Sequence, residues 1–497
     1  MAANKESQQN AVQARLDQVA SERSVLDQII DKVAPGPQTG AAEVPVEDEA
    51  LLLIILSALD TGDKLQASGI DKAVARIHQK LADQTDAILH SAELQQVEAT
   101  WRGLRHLVEN TDFRKGCKIS IFDVSKDDLV GDFEDNPDIT KTAYYRQIYS
   151  EGLGAFRGEP IGAVVANYEF GPGLRDVNLL KKCAQVSAMA HAPFISAAST
   201  EMFGVESFTE IPRLTDIKDI FEGPRFAAWR GFREEPDARY VGLTMPRYIA
   251  RPVWSRDSVK SFTYEENVKG SHEDFLWGNM AFLFAARLTD AHATYGWCGN
   301  IIGPQGGGAV KGMNTYTLED DGLEEIKIPT EVKLTLRREY ELSEAGFIPL
   351  IWAENSAEAA FFAAPSAKAA KKFRATPEGD AAAANDFLGT QLPYMFIISR
   401  IAHYIKRLQV EQIGSSTSTE MLQKDIRDWI GQYVNPIASN KTEMARKPLK
   451  EAFIKVTPIE SRPGWYEFDV QVTPHFKYQG AHFTLSLVGK MDNAAKK

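Results

Sequence analysis

An α/β and α+β multidomain fold is what this 497-residue sequence predicts, and three patterns predict it. Short apolar strand-like runs alternate with helical periodicity through the middle of the chain. An amphipathic helix stands near the amino end, and period-two strands stand near the carboxyl end with edges to be paired, covered by their own domain or shared between subunits.

The first element runs from Asn10 to Val33, where Val12, Leu16, Val19, Leu26, Ile29, Ile30 and Val33 recur at helical spacing with Asp and Gln between them. Pro35, Gly36 and Pro37 stop it, and the Gly, Ala and Glu residues that follow read as a linker. The helix has little of its own domain to cover, so it reads as a docking element, the alternative being a helix that folds back onto the body of the same subunit. Helical periodicity returns from Gly69 to His106 through Val74, Ile77, Leu81, Ile88, Leu94, Val97, Trp101 and Leu104. Strands are then expected at Lys118 to Val124, Ile161 to Asn167, Pro193 to Ala197 and Tyr240 to Leu243, separated by helices such as Asp176 to Ala190 and Phe275 to Ala293.

A glycine-rich loop spans Gly303 to Gly312, a further strand is expected at Glu331 to Leu336, and Ser356 to Asn385 is alanine-rich and weakly patterned. Two long helices follow, one lined by Ile398, Ile401, Ile405 and Leu408, the other by Leu422, Ile426, Trp429, Ile430 and Tyr433. The predicted layout is a docking helix over 1–33, a linker arm over 34–60, a central α/β domain over 61–330, a second domain over 331–447 and a strand module over 448–497. In that last module Tyr466, Phe468, Val470 and Val472 share one side of a strand after Pro463 and Gly464. A second alternating run carries Phe483, Leu485 and Leu487. Together they predict a terminal hairpin suited to strand addition.

Charge and cysteine usage narrow the function classes. With 56 basic against 68 acidic residues the net charge is -12, which argues against a general nucleic-acid coat. Lys441, Arg446, Lys447 and Lys450 nonetheless form a local basic cluster. Cys117, Cys183 and Cys298 are odd in number and lack CxxC spacing, so neither a disulfide framework nor a zinc site is expected and a reducing cytoplasm fits. The amino end lacks a secretory pattern, and the apolar run Leu51 to Leu59 is about half the ~20 residues a bilayer requires.

Enzyme motifs fail on their spacing. Lys311 in the glycine-rich loop follows Val310 and precedes Gly312, so no Walker pattern exists. Gly152 and Gly154 lack the third glycine of a dinucleotide fingerprint, and His272-Glu273 lacks the second histidine of a zincin. His191 has no GxSxG elbow or marked cysteine to serve. No catalytic, cofactor-binding or metal-ligating residue is therefore expected.

Several segments carry a resemblance. Trp101-Arg102-Gly103-Leu104, the run His191 to Ser199, Tyr240 to Arg247 and Leu276-Trp277-Gly278-Asn279 look like the large subunit of the type VI secretion contractile sheath, the TssC/VipB/EvpB family. So do the Gly303 to Val310 loop, Leu392-Pro393-Tyr394 with Ser399 to Lys406, and Pro474-His475-Phe476. Ala166-Asn167 and Met313-Asn314 depart from that pattern, where the family usually has Gly-Asp and Leu-Pro.

The resemblance implies a contractile tail-sheath-like fold and a mechanical, non-enzymatic part. Its expected partners are a small sheath subunit (TssB/VipA-like), an inner tube protein (Hcp-like), a baseplate, a ClpV-type AAA+ unfoldase and further copies of itself in a helical polymer. It implies a place in the bacterial cytoplasm within a membrane-anchored apparatus, with no nucleic acid and no direct membrane insertion. Leu26, Ile29, Ile30 and Val33 would meet the unfoldase, and Lys441, Arg446, Lys447 and Lys450, or the helix before them, would meet the inner tube. Tyr466, Phe468, Val470, Val472, Phe483, Leu485 and Leu487 would form the strands shared between subunits. The alternative is a sheath protein of a phage tail or related contractile injection machine, which would do without a separate small partner.

Overall fold

The computed structural model describes residues 67–155, 158–256, 264–268, 272–320, 323–327, 329–352, 358–371, 373–374, 376–412, 419–437, 440–458 and 466–475. The expected docking helix with Leu26, Ile29, Ile30 and Val33 lies outside these residues, as do Phe483, Leu485 and Leu487.

The principal helices are α1 (Ala67–Leu89), α2 (Ala92–Glu109), α3 (Leu174–Ala190), α4 (Ala281–Tyr295), α5 (Leu336–Glu344), α6 (Pro377–Leu388), α7 (Leu392–Gln412), α8 (Thr419–Gly431) and α9 (Lys441–Arg446). The strands are β1 (Val164–Phe170), β2 (Phe194–Ala198), β3 (Val241–Met245), β4 (Tyr248–Ile249), β5 (Trp277–Gly278), β6 (Ala309–Lys311), β7 (Tyr316–Asp320), β8 (Leu323–Lys327), β9 (Phe347–Trp352), β10 (Glu358–Phe361), β11 (Leu449–Pro458) and β12 (Tyr466–Pro474). They fall into two compact units. One takes the described residues through Leu104 with Tyr248–Gly278 and Asn314–Lys327, and the other takes Arg105–Arg247, Asn279–Met313 and the described residues from 329 onward.

The larger unit is organised by a six-stranded sheet in the order β1-β2-β3-β9-β10-β6. β1, β2, β3 and β9 run parallel, while β10 is antiparallel to both β9 and β6. Every residue of β2, β3 and β9 is buried, the mark of parallel strands covered on both faces. Trp229 is fully buried and stacks on Phe347 of β9 with ring centroids 5.7 Å apart. The sheet continues past the boundary read near Thr330 from composition, because β9 and β10 follow that point and join it.

Two residues fix α7 within this unit. Gly242 of β3 leaves room for it, since a Cβ there would stand 2.7 Å from Leu392 Cδ1. His403 of α7 is buried and its Nε2 donates to the carbonyl of Ala190, the last residue of α3, at 2.8 Å. His191 caps that same helix in the left-handed region at φ 50, with its Nδ1 3.1 Å from the Tyr240 hydroxyl. Burial, and then the charge of Lys406, lowers the His191 pKa.

The smaller unit is held by charge as much as by apolar contact. Its apolar centre is Ile249, Val268, Phe275 and Trp277 around the antiparallel β4/β5 pair. Beside it Arg251, 3% exposed, donates to Glu266 from Nη1 at 2.6 Å and Nη2 at 2.9 Å, and to Glu98 of α2 from Nε at 2.9 Å. Burial works against the Glu266 charge, but Arg251 and the Trp254 N–H outweigh it and its pKa is lowered. Such a pair contributes only while both partners remain.

Two sequence expectations fail locally. Lys118 to Val124 takes no regular secondary structure and joins no ladder among the described residues, leaving Ile121 67% exposed, because alternation without a neighbouring backbone does not make a strand. Glu331 to Leu336 is not a strand either, since Thr335 caps α5 by accepting from the Arg338 N–H. The weakly patterned Ser356 to Asn385 segment yields β10 and most of α6.

Burial lowers the His403 pKa to about 4, against an ordinary imidazole value of 6.5. The folded state therefore binds fewer protons than the unfolded chain between those values, so stability is full above 6.5 and is lost as pH falls toward 4. The expected loss is about 3 kcal/mol over that window. Urea unfolding across this range should show a shallower pH dependence for His403→Gln than for the unaltered chain; equal slopes would contradict the assignment.

Candidate assembly interface

β11 and β12 form a two-stranded antiparallel ribbon whose register runs from Leu449 opposite Pro474 to Pro458 opposite Tyr466. One face is apolar and anchored. Ile454 and Val456 are buried with Trp297, Ile397, Ile401, Ile405, Leu422, Ile426 and Ile430, which brings α7 and α8 under the ribbon. Tyr466, Phe468, Val470 and Val472 are half-buried against the same cluster, on the single side that their period-two spacing predicts. Aromatic contacts stiffen the anchor, with Trp297 edge-on to Tyr433 at 5.1 Å and Trp429 at 5.5 Å from Tyr433.

Among the described residues β12 pairs with β11. The expected hairpin mate with Phe483, Leu485 and Leu487 lies outside the described residues. The signal for β11 lies in Ala452, Ile454 and Val456 alternating with Phe453 and Lys455, a pattern masked by the charge of the lysines around it.

The two long edges of the ribbon differ. β11's outer edge is occupied by its own chain: the Leu449 carbonyl accepts from the Asn435 N–H at 2.9 Å, the Leu449 N–H donates to Tyr433, and the Val456 N–H donates to Gln423 Oε1 at 3.3 Å. β12's outer edge pairs with no strand among the described residues. Its exposed face presents Glu467, Asp469 and Gln471 beside Lys455 and Phe453, the last 57% exposed. An open edge next to an exposed aromatic is a template for another chain.

The basic residues lie immediately before the ribbon. Asn440 caps α9 by accepting from the Thr442 N–H at 2.7 Å, and Lys441, Arg446, Lys447 and Lys450 are all exposed, the last on β11. None of the four joins an ion pair among the described residues, and Lys441 Nζ donates to Gln305 Oε1 at 3.4 Å. Gln305 belongs to the glycine-rich loop, whose amides are turned inward. Gly303 donates to the Phe361 carbonyl at 2.7 Å, while Gly306 and Gly308 donate to the Gly303 carbonyl at 3.1 and 2.9 Å. Gly307 sits at φ +100 with the Asn300 carbonyl where a Cβ would go. That loop locks β10 to the body.

His272 is likewise occupied structurally, its carbonyl accepting from Trp277 Nε1 at 2.9 Å. Among the described residues no group of acidic, histidine and cysteine side chains could hold a metal ion, and no helix is long and apolar enough to cross a membrane.

Comparison with known proteins assigns this architecture. The profile described as EvpB/VC_A0108, tail sheath N-terminal domain, matches residues 71–368, and that of the EvpB/VC_A0108 tail sheath gpW/gp25-like domain matches residues 381–491. The chain belongs to the VipB/EvpB family of type VI secretion sheath large subunits. It is also 36% identical over 462 residues to the type VI secretion system sheath protein TssC1 of Pseudomonas aeruginosa, covering 91% of this chain and 92% of that protein. The second VipB/EvpB match takes in α7, α8, α9 and the ribbon together, so the candidate interface sits inside a family domain.

The two faces of β11 should respond oppositely to truncation. Ile454→Ala removes a buried side chain and should cost about 2–5 kcal/mol of stability. Phe453→Ala, on the exposed face, should change it by less than about 0.5 kcal/mol. Urea midpoints of the two variants decide this, and equal losses would contradict the stated orientation of the ribbon.

Proposed function

We propose that this sheath subunit pairs with a small sheath subunit, polymerises helically around an inner tube, and contracts to drive that tube outward for effector delivery. The observation that carries the reading is the ribbon with one edge bonded by its own chain and one edge that pairs with no strand among the described residues. A strand from a neighbouring subunit would complete β12 through main-chain hydrogen bonds, each contributing about 0.5–1.5 kcal/mol. Several such bonds hold subunits together while their globular faces change contacts. The segment with Phe483, Leu485 and Leu487 would extend the shared sheet further.

Contraction in this scheme draws on the lattice, because an extended arrangement of many weak interfaces lowers its free energy as they rearrange. Lys441, Arg446, Lys447 and Lys450, or α8 before them, would face the inner tube, and the exposure of all four lysine and arginine side chains supports that role. The amphipathic segment at the amino end, with Leu26, Ile29, Ile30 and Val33, would dock on a ClpV-type AAA+ unfoldase that recycles spent sheath. The working place would be the bacterial cytoplasm, in an apparatus anchored to the membrane through a baseplate.

Co-expression with the small sheath subunit, followed by negative-stain electron microscopy, should give helical tubes. Phe453→Asp should abolish the tubes while leaving a soluble heterodimer. A compact monomer that ignores the small subunit would overturn the reading.

A further inference from the structure

α1 carries more than ordinary amphipathicity. Val74, Ile77, Leu81, Gln84 and Ile88 follow alternating steps of three and four residues, the rhythm of a coiled-coil seam. In the smaller unit the far end of this helix is tied down, Asp86 accepting from the Tyr264 hydroxyl at 2.7 Å and His90 Nε2 lying 3.3 Å from Glu266. The seam itself is left in the open. Val74 is 43%, Ile77 54% and Leu81 43% exposed, three large aliphatic side chains in consecutive core positions.

The same chain contains a complementary seam outside the described residues. Val12, Leu16, Val19, Arg23, Leu26, Ile30 and Val33 repeat steps of four and three without interruption. We propose that this segment is the occupant of α1's exposed face, lying antiparallel to it in one register. Antiparallel helices set the first core position of one heptad against the second of the other, and placing Leu26 on Leu81 then sets Ile30 on Ile77 and Val33 on Val74. Toward the other end Val19 meets Ile88. The one polar residue in each seam, Arg23 and Gln84, falls in the same layer.

A slip of one heptad in either direction sets Gln84 against an aliphatic residue, Leu16 or Ile30, and removes Arg23 from its polar partner. A buried polar group left unpaired is costly, so the polar layer selects the register. Asp27 also comes beside His78, an opposite-charge flank when the imidazole is protonated. The register brings Val33 next to Val74, and the 33 residues from Ala34 to Gln66 are ample to join that end to the start of α1. Tethering of this length makes docking effectively intramolecular, with a local concentration of order millimolar.

The consequence rests on the reading of the amino-terminal segment given above. Docking on α1 covers Leu26, Ile30 and Val33, three of the four residues assigned to the unfoldase, so one segment cannot serve both surfaces at once.

The register is tested by cysteine pairs in the full-length chain under mild oxidation. Leu26→Cys with Leu81→Cys should form an intrachain disulfide, whereas Val19→Cys with Leu81→Cys should not. Hydrogen exchange of the same chain supplies the second measurement: Ile77→Asp with Leu81→Asp should speed exchange of residues 19–33 at least ten-fold, and both substituted sites are exposed enough to leave the fold intact. Unchanged exchange, preferential linkage through position 19, or disulfide-joined dimers would each overturn the proposal. No unfoldase is present in either measurement, so failure of the unfoldase assignment reads out separately.

Discussion

Backbone hydrogen bonding at β12 is the constraint on which the assembly account depends. A strand carries donors and acceptors on both edges, and burying them without partners costs about as much as losing the bonds outright. β11 has the help of Tyr433, Asn435 and Gln423 on its outer edge, while β12 relies on β11 alone among the described residues. The ribbon's apolar face is consumed by α7 and α8, which among the described residues leaves the edge and the Phe453 face uncovered.

Mechanical use of such an edge requires that the anchor outlast the contacts it transmits. Ile454, Val456, Ile426 and Ile430 give the ribbon a buried root, and the all-buried strands β2, β3 and β9 give the larger unit a stiff centre. The smaller unit answers the same need with the buried Arg251, Glu266 and Glu98 group. In the proposed assembly, chains linked by strand addition would then move as bodies on a shared hinge.

The sequence was legible where one physical period dominated. Helices α3, α4, α7 and α8 and strands β1, β2 and β3 appear within a few residues of where periodicity placed them. Tyr466, Phe468, Val470 and Val472 lie on one face as their alternation required. Reading failed where a partner had to be chosen, because alternation names a face and never a neighbour. Lys118 to Val124 alternates yet finds no ladder among the described residues, and β11 joins β12 without having been expected as a strand. β11 itself went unseen because Lys450 and Lys455 sit on the outer side of a strand whose inner side, Ala452, Ile454 and Val456, carries the informative pattern. The basic cluster was visible as composition, but its exposure is a property of the fold.

Site-resolved amide hydrogen exchange of residues 466–474, measured on the soluble heterodimer and again in the assembled sheath, addresses the open edge most directly. The account expects the outward-facing amides of β12 to exchange rapidly before assembly and to become strongly protected in the polymer, while those bonded to β11 stay protected throughout. Tubes that form with the outward amides still unprotected would contradict it.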